Sequence, residues 1–64
     1  MSRFVVTASN ADGVAVATTF WDEADAERYA YSILGASLVG GTVCTTHVYR
    51  ATPTGMDLLN EFEF

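Results

Sequence analysis

Only one stretch of this chain has the spacing of an amphipathic helix, and runs rich in β-branched residues lie on both sides of it. Within residues 22–38 the apolar positions recur at intervals of three and four, at Ala26, Ala30, Ile33 and Leu34. Asp22 is a suitable N-cap, and Asp25 stands where a carboxylate can complete a weak capping box. Gly40 and Gly41 end the element. The pattern predicts one helix over about residues 22–38.

Before this segment, residues 3–9 and 14–20 flank a turn signal at Asn10-Ala11-Asp12-Gly13 and predict a β-hairpin. Two loops compete: a two-residue Asp12-Gly13 turn, and a three-residue loop over 11–13 with a left-handed Gly13. The longer loop is favoured because it gathers the apolar residues on one face. Those residues are Phe4, Val6, Ala8, Val14, Val16 and Phe20, with Phe4 opposite Phe20 and Ala8 opposite Val16.

After the helix, residues 42–51 and 56–63 flank Thr52-Pro53-Thr54-Gly55, where proline and glycine occupy the positions that a type I turn prefers. Pairing Thr52 with Gly55 predicts a definite register. It sets Arg50 opposite Asp57, Tyr49 opposite Leu58, Thr45 opposite Phe62 and Val43 opposite Phe64. We expect a single α+β domain over residues 1–64, with ββαββ topology. Its four-stranded antiparallel sheet has the order 2-1-3-4, and the helix packs on one face.

Composition narrows the function classes. The net charge is −5, with three arginines and no lysine, which argues against nucleic-acid binding and removes lysine-dependent catalysis. Cys44 is the only cysteine, so no disulfide forms within the chain, and a reduced, cytoplasmic setting is expected. No apolar run is long enough to span a membrane, and no signal peptide is apparent.

Cys44 and His47 are the residues that invite a metal or nucleophile interpretation. Three apart on a strand, they should point to opposite faces of the sheet, and no further Cys or His completes a ligand set. Carboxylates at the helix start are explained by the helix dipole. The sequence therefore predicts no enzyme activity, catalytic residue, cofactor or metal.

The stretch from Asp12-Gly13 through Phe20-Trp21-Asp22-Glu23-Ala24-Asp25-Ala26 to Ala30 resembles a pattern in small uncharacterised bacterial and bacteriophage proteins. In that pattern a hairpin ends in phenylalanine, a capping residue follows, and an acidic helix start leads to Ala-x-x-x-Ala. The resemblance covers the first half of the chain. It implies the hairpin-then-helix architecture and supplies no functional residue.

Two surfaces are candidates for protein contacts. One combines Trp21, which should point away from Phe20 and be exposed, with the acidic residues Asp22, Glu23 and Asp25. The other is the helix-free sheet face, whose small residues are Val5, Thr7, Ala15 and Ala17. The terminal strand over 56–63 is a further candidate, as an edge that could extend a partner's sheet. We expect a phage-encoded module that binds and inhibits or modulates a host protein, or alternatively a module that self-associates through its sheet face.

Overall fold

The computed structural model describes residues 3–64, which form one helix and a five-stranded antiparallel sheet. The elements are β1 (Phe4–Asn10), β2 (Ala15–Phe20), α1 (Glu23–Ser32), β3 (Ser37–Leu38), β4 (Gly41–Thr52) and β5 (Gly55–Glu63). The α+β class is confirmed. The four-stranded prediction is wrong in detail, because the strand order is β2-β1-β4-β3 and β5 pairs with β4 beside the short β3.

The extra strand exists because the helix is shorter than predicted. It ends at Ser32 rather than Leu38, and Gly35 adopts a left-handed φ of 83° that turns the chain back toward the sheet. Backbone hydrogen bonds then attach the segment to β4: the Gly35 N–H donates to the Val43 carbonyl, and the Val43 N–H donates to the Ala36 carbonyl, both at 2.8 Å. These sheet-like bonds replace the helical ones that a longer α1 would have made.

The first hairpin has the predicted register, with Phe4 opposite Phe20 and Ala8 opposite Val16. Its loop is the three-residue one, and Gly13 has a φ of 86°. Val16 lies opposite Ala8 on the predicted face, but its side chain is 45% exposed. The cause is the path of α1, whose C-terminal turn lies over β4 and β5, where Tyr31 packs edge-on against Phe62. The edge of β2 is left uncovered.

The second hairpin keeps the predicted pairs Arg50–Asp57 and Tyr49–Leu58. Beyond them the register shifts, so the predicted pairs Thr45–Phe62 and Val43–Phe64 are wrong. Thr46 now faces Phe62, Thr45 faces Glu63, and Val43 pairs with Asn10 on β1. Leu59 and Phe62 are three residues apart, so strict alternation along β5 would place them on opposite faces of the sheet. A bulge at the consecutive leucines 58 and 59 places both on the core face. It leaves Leu58 on the helix-free face and lets Leu59 and Phe62 pack against the core.

The core lies between α1 and the sheet face formed by β1 and β4. Ala26 and Ala30 are fully buried against it, and their small side chains let the helix approach the strands closely. The remaining buried core residues are Phe4, Val6 and Val48, with Phe20, Tyr29, Leu59 and Phe62 packed around them. Because all of these lie on one side of the sheet, the other side is left without a covering element among residues 3–64.

Candidate functional site

The helix-free side of the sheet, here called the open face, is a set of cross-strand rows. From one end to the other the rows are Arg3–Ala51–Met56, Thr19–Val5–Tyr49–Leu58, Ala17–Thr7–His47–Glu61 and Ala15–Ser9–Thr45–Glu63. Side chains of one row stand close enough to act as a single surface strip. The register therefore fixes which side chains a partner would meet together.

Apolar side chains are concentrated at one end of the open face. Met56 and Leu58 are 53% and 56% exposed, and Tyr49 and Val5 are half-buried beside Leu58. Sequence reasoning missed Met56 and Leu58 as site residues. The available signal was the doublet of leucines 58 and 59, since adjacent apolar residues in a strand indicate either a bulge or an exposed apolar side chain.

The opposite end of the open face is polar and acidic. Glu61 and Glu63 are exposed there, and His47 Nε2 lies 2.9 Å from Glu61 Oε2. The His47 ring also stacks on Tyr49, with centroids 6.0 Å apart. The His47–Glu61 pair thus stands between the apolar end and the acidic end, and the open face grades from one to the other.

Trp21 is 63% exposed, as the sequence predicts, and lies at the apolar end of the open face. Its ring is 5.3 Å from the guanidinium carbon of Arg3, a cation–π contact, and Pro53 lines the same shallow surface. Phe20 points the other way and packs on Tyr29, with centroids 5.1 Å apart. The structure therefore places Trp21 beside the row Arg3–Ala51–Met56, which is next to the row that contains Val5.

The other predicted residues of the sheet face, Thr7, Ala15 and Ala17, lie in the two more polar rows. Ala15 and Ala17 belong to the edge strand β2 and are exposed, while Thr7 is half-buried between its neighbours. These three small residues therefore form the β1–β2 part of the polar half of the open face. The apolar half of the open face comes mainly from β4 and β5.

The acidic helix start is occupied by contacts within the chain. Asp22 caps the helix by accepting a hydrogen bond from the Ala24 N–H at 2.8 Å. Asp25 does not complete a capping box; its carboxylate accepts from Arg28 at 3.0 Å. The Glu23 Oε1 atom lies 3.8 Å from the Arg50 Nη2 atom on β4. These carboxylates are explained by folding, so they make a weaker case for a contact surface than the open face does.

Cys44 and His47 are the residues that invite a metal or nucleophile interpretation. Cys44 lies at the bulge between β1 and β4, where its thiol is 3.6 Å from the Ser9 carbonyl oxygen. Within residues 3–64, no three His, Cys, Asp or Glu side chains come together as metal ligands. No helix in the same range is long and apolar enough to cross a membrane.

The fold and the surface define an α+β domain that covers one face of its antiparallel sheet with a helix and leaves the other face open. Comparison with known protein families, curated protein sequences and solved structures finds no match to the chain.

Proposed function

We propose that this chain is a non-catalytic module that binds a partner protein through its open face. The observation that carries the proposal is the exposure of Met56 and Leu58 beside Tyr49, on a face that no element of residues 3–64 covers. Large apolar and aromatic side chains at the centre of a patch are typical of protein interfaces. Exposed Trp21 extends the same patch at its end.

The charge gradient favours a different protein over a second copy of this chain. In aligned face-to-face packing, a two-fold axis along the strands exchanges the edge strands β5 and β2, so it lays Glu61 on Ala17 and Glu63 on Ala15 of the other copy. A two-fold axis across the strands lays them on the apolar row of Leu58 instead. Both arrangements bury carboxylates without a basic side chain opposite them, which costs free energy. A partner with an apolar patch next to basic side chains fits the open face without either conflict.

The mode of action that follows is stoichiometric occupation of a partner's surface. A partner with basic side chains suits a chain of net charge −5, whose arginines already contact Trp21, Asp25 and Glu23. In the version suggested by the sequence resemblance, the chain is phage-encoded and inhibits or modulates a host protein. The runner-up is self-association through the open face, which the uncovered sheet still favours.

A measurement of mass separates these two candidates. We expect light scattering to give the 6.9 kDa monomer across a wide concentration range, because self-packing buries the carboxylates of Glu61 and Glu63 without basic partners. A dimer that persists on dilution would favour self-association. In that case a charge introduced by Ala15→Asp or Ala17→Asp should split it, since both alanines lie on the open face.

Mutation of the open face tests the heterologous interface. Leu58→Asp is expected to weaken binding to a purified partner at least tenfold, because it places a charge in the apolar row. Ala36→Asp is the matched control, since Ala36 is exposed in the loop after α1. Trp21→Ala should weaken binding too while leaving the fold intact. Equal affinities for the three variants and the parent chain, with a hydrogen-exchange footprint on the helix side, would contradict the proposal.

A further inference from the structure

The two edges of the sheet differ in how they are protected. The β5 edge has a bulge and carries Asp57, Glu61 and Glu63, features that natural proteins use to prevent strand addition. The β2 edge has none of these. Residues 15–20 contain no charged side chain and no proline, and their pairing with β1 is unbroken from Ala15 to Phe20. This contrast favours β2 over the C-terminal strand as the edge for strand addition.

The hydrogen-bond phase of the hairpin shows which backbone groups are free at the β2 edge. The Asn10 N–H donates to the Val14 carbonyl at 3.0 Å, so residue 14 faces β1. Bonding alternates along an antiparallel pair, so the N–H and C=O groups of Ala15, Ala17 and Thr19 point outward. Their side chains are small and exposed and leave these groups accessible.

We infer that the outer edge of β2 is a docking site for an extended peptide segment of a partner protein, which adds to the sheet as a further strand. A carboxylate stands at each end of the edge, Asp12 before the strand and Asp22 after it, whereas Glu23 is directed toward Arg50 on β4. An occupant with a basic residue at each end of a short, uncharged segment is therefore complementary to the site.

A second copy of β2 is a poor occupant for the same reason. Antiparallel pairing centred on Ala17 sets Asp12 of one copy opposite Asp22 of the other, since both lie five residues from Ala17. The symmetry repeats this contact between like charges at the other end. The cationic segment of a different protein gains attraction at the two places where a second copy meets repulsion.

The probe for this site is the blocked peptide Arg-Thr-Val-Thr-Val-Thr-Arg, titrated into the full chain while amide hydrogen exchange is followed by NMR. Exchange of the Ala15, Ala17 and Thr19 amides is expected to slow about tenfold at saturation, because these N–H groups gain acceptors. The same peptide ending in glutamates should bind at least tenfold more weakly. No saturable change at these amides, or protection on the β5 edge alone, would overturn the inference.

Two proline variants of β2 are matched, because one removes an outward N–H group and the other removes an N–H group that is bonded to β1. Ala17→Pro removes an outward N–H that β1 does not use, so the chain should fold and lose the peptide. Val16→Pro removes an N–H of the β1–β2 ladder and should destabilise the hairpin instead.

A second test needs no variant of the protein. In the added strand the N–H groups of the valines point to one edge and those of the threonines to the other, and only one edge faces β2. N-methylation of the valines and N-methylation of the threonines should therefore have different effects. One methylated peptide is expected to bind and the other to fail; equal binding by both contradicts the inference. Leu58→Asp should leave peptide docking unchanged, because Leu58 lies on β5, and two strands, β4 and β1, separate β5 from β2. Failure of edge docking is thereby distinguished from failure of open-face binding.

Discussion

Replacing Asn10 with alanine is expected to lower the free energy of unfolding by about 3 kcal/mol, because four partly buried backbone groups lose their hydrogen-bond partner at once. Asn10 is 5% exposed. Its Oδ1 accepts hydrogen bonds from the backbone N–H groups of Asp12 and Val14, both at 3.0 Å. Its Nδ2 donates to the carbonyls of Leu38 and Val39 at 3.3 and 3.1 Å. One side chain thus joins the first hairpin loop to the turn between β3 and β4.

The loss is large relative to what a domain of this size has available. A single core in a chain this short supplies roughly 3–5 kcal/mol of net stability. Urea unfolding followed by circular dichroism should therefore show a much lower midpoint, or a chain that is largely unfolded before urea is added. The control is Asp12→Asn, an exposed position in the same loop, where a change within about 0.5 kcal/mol is expected. A loss at Asn10 no larger than at Asp12 would mean that water replaces the side-chain bonds.

Asn10 also shows where prediction from sequence ends. The sequence identifies it as a turn residue, and local spacing was enough to choose the three-residue loop and the register of the first hairpin. Its contacts to Leu38 and Val39 join residues 28 and 29 positions apart. No local pattern contains such a contact, because the distance depends on how α1 returns the chain to β4.

The same limit explains the overlong helix. Apolar residues at helical spacing continue through Ile33 and Leu34, so periodicity alone extends α1 toward Leu38. The chain instead uses Gly35 in a left-handed conformation and forms backbone bonds to Val43 on β4. Those bonds are made only when the two segments meet in the folded state, so tertiary pairing overrides local propensity.

The candidate site was predictable in part. The exposure of Trp21 and the position of Val5 on the helix-free face follow from alternation along short strands. The apolar end of the open face was missed because the bulge beside Leu58 depends on the core accepting Leu59 and Phe62. The ion pair that occupies Glu23 was missed because Arg50 is distant in sequence.

Thr46→Val is the second large change that we expect, with a loss of about 2 kcal/mol in the free energy of unfolding. Thr46 is fully buried on β4, and its Oγ1 donates to the Ala30 carbonyl at 3.1 Å. Ala30 lies in the last turn of α1, where backbone carbonyls lack an N–H partner within the helix and need a hydrogen-bond donor from elsewhere. Valine has nearly the same shape as threonine, so the change removes the hydrogen bond and leaves the packing.

Two variants make this result specific. Thr46→Ser keeps the hydroxyl and loses a methyl group, so it should cost about 1 kcal/mol, less than valine despite its smaller size. Thr45→Val makes the same chemical change one residue away, at a half-buried position on the open face, and should cost under about 0.5 kcal/mol. Hydrogen exchange in the last turn of α1 should quicken in Thr46→Val alone, because the helix end loses its attachment to β4. If valine at 46 is tolerated better than serine, packing rather than the hydrogen bond holds the helix end on the sheet.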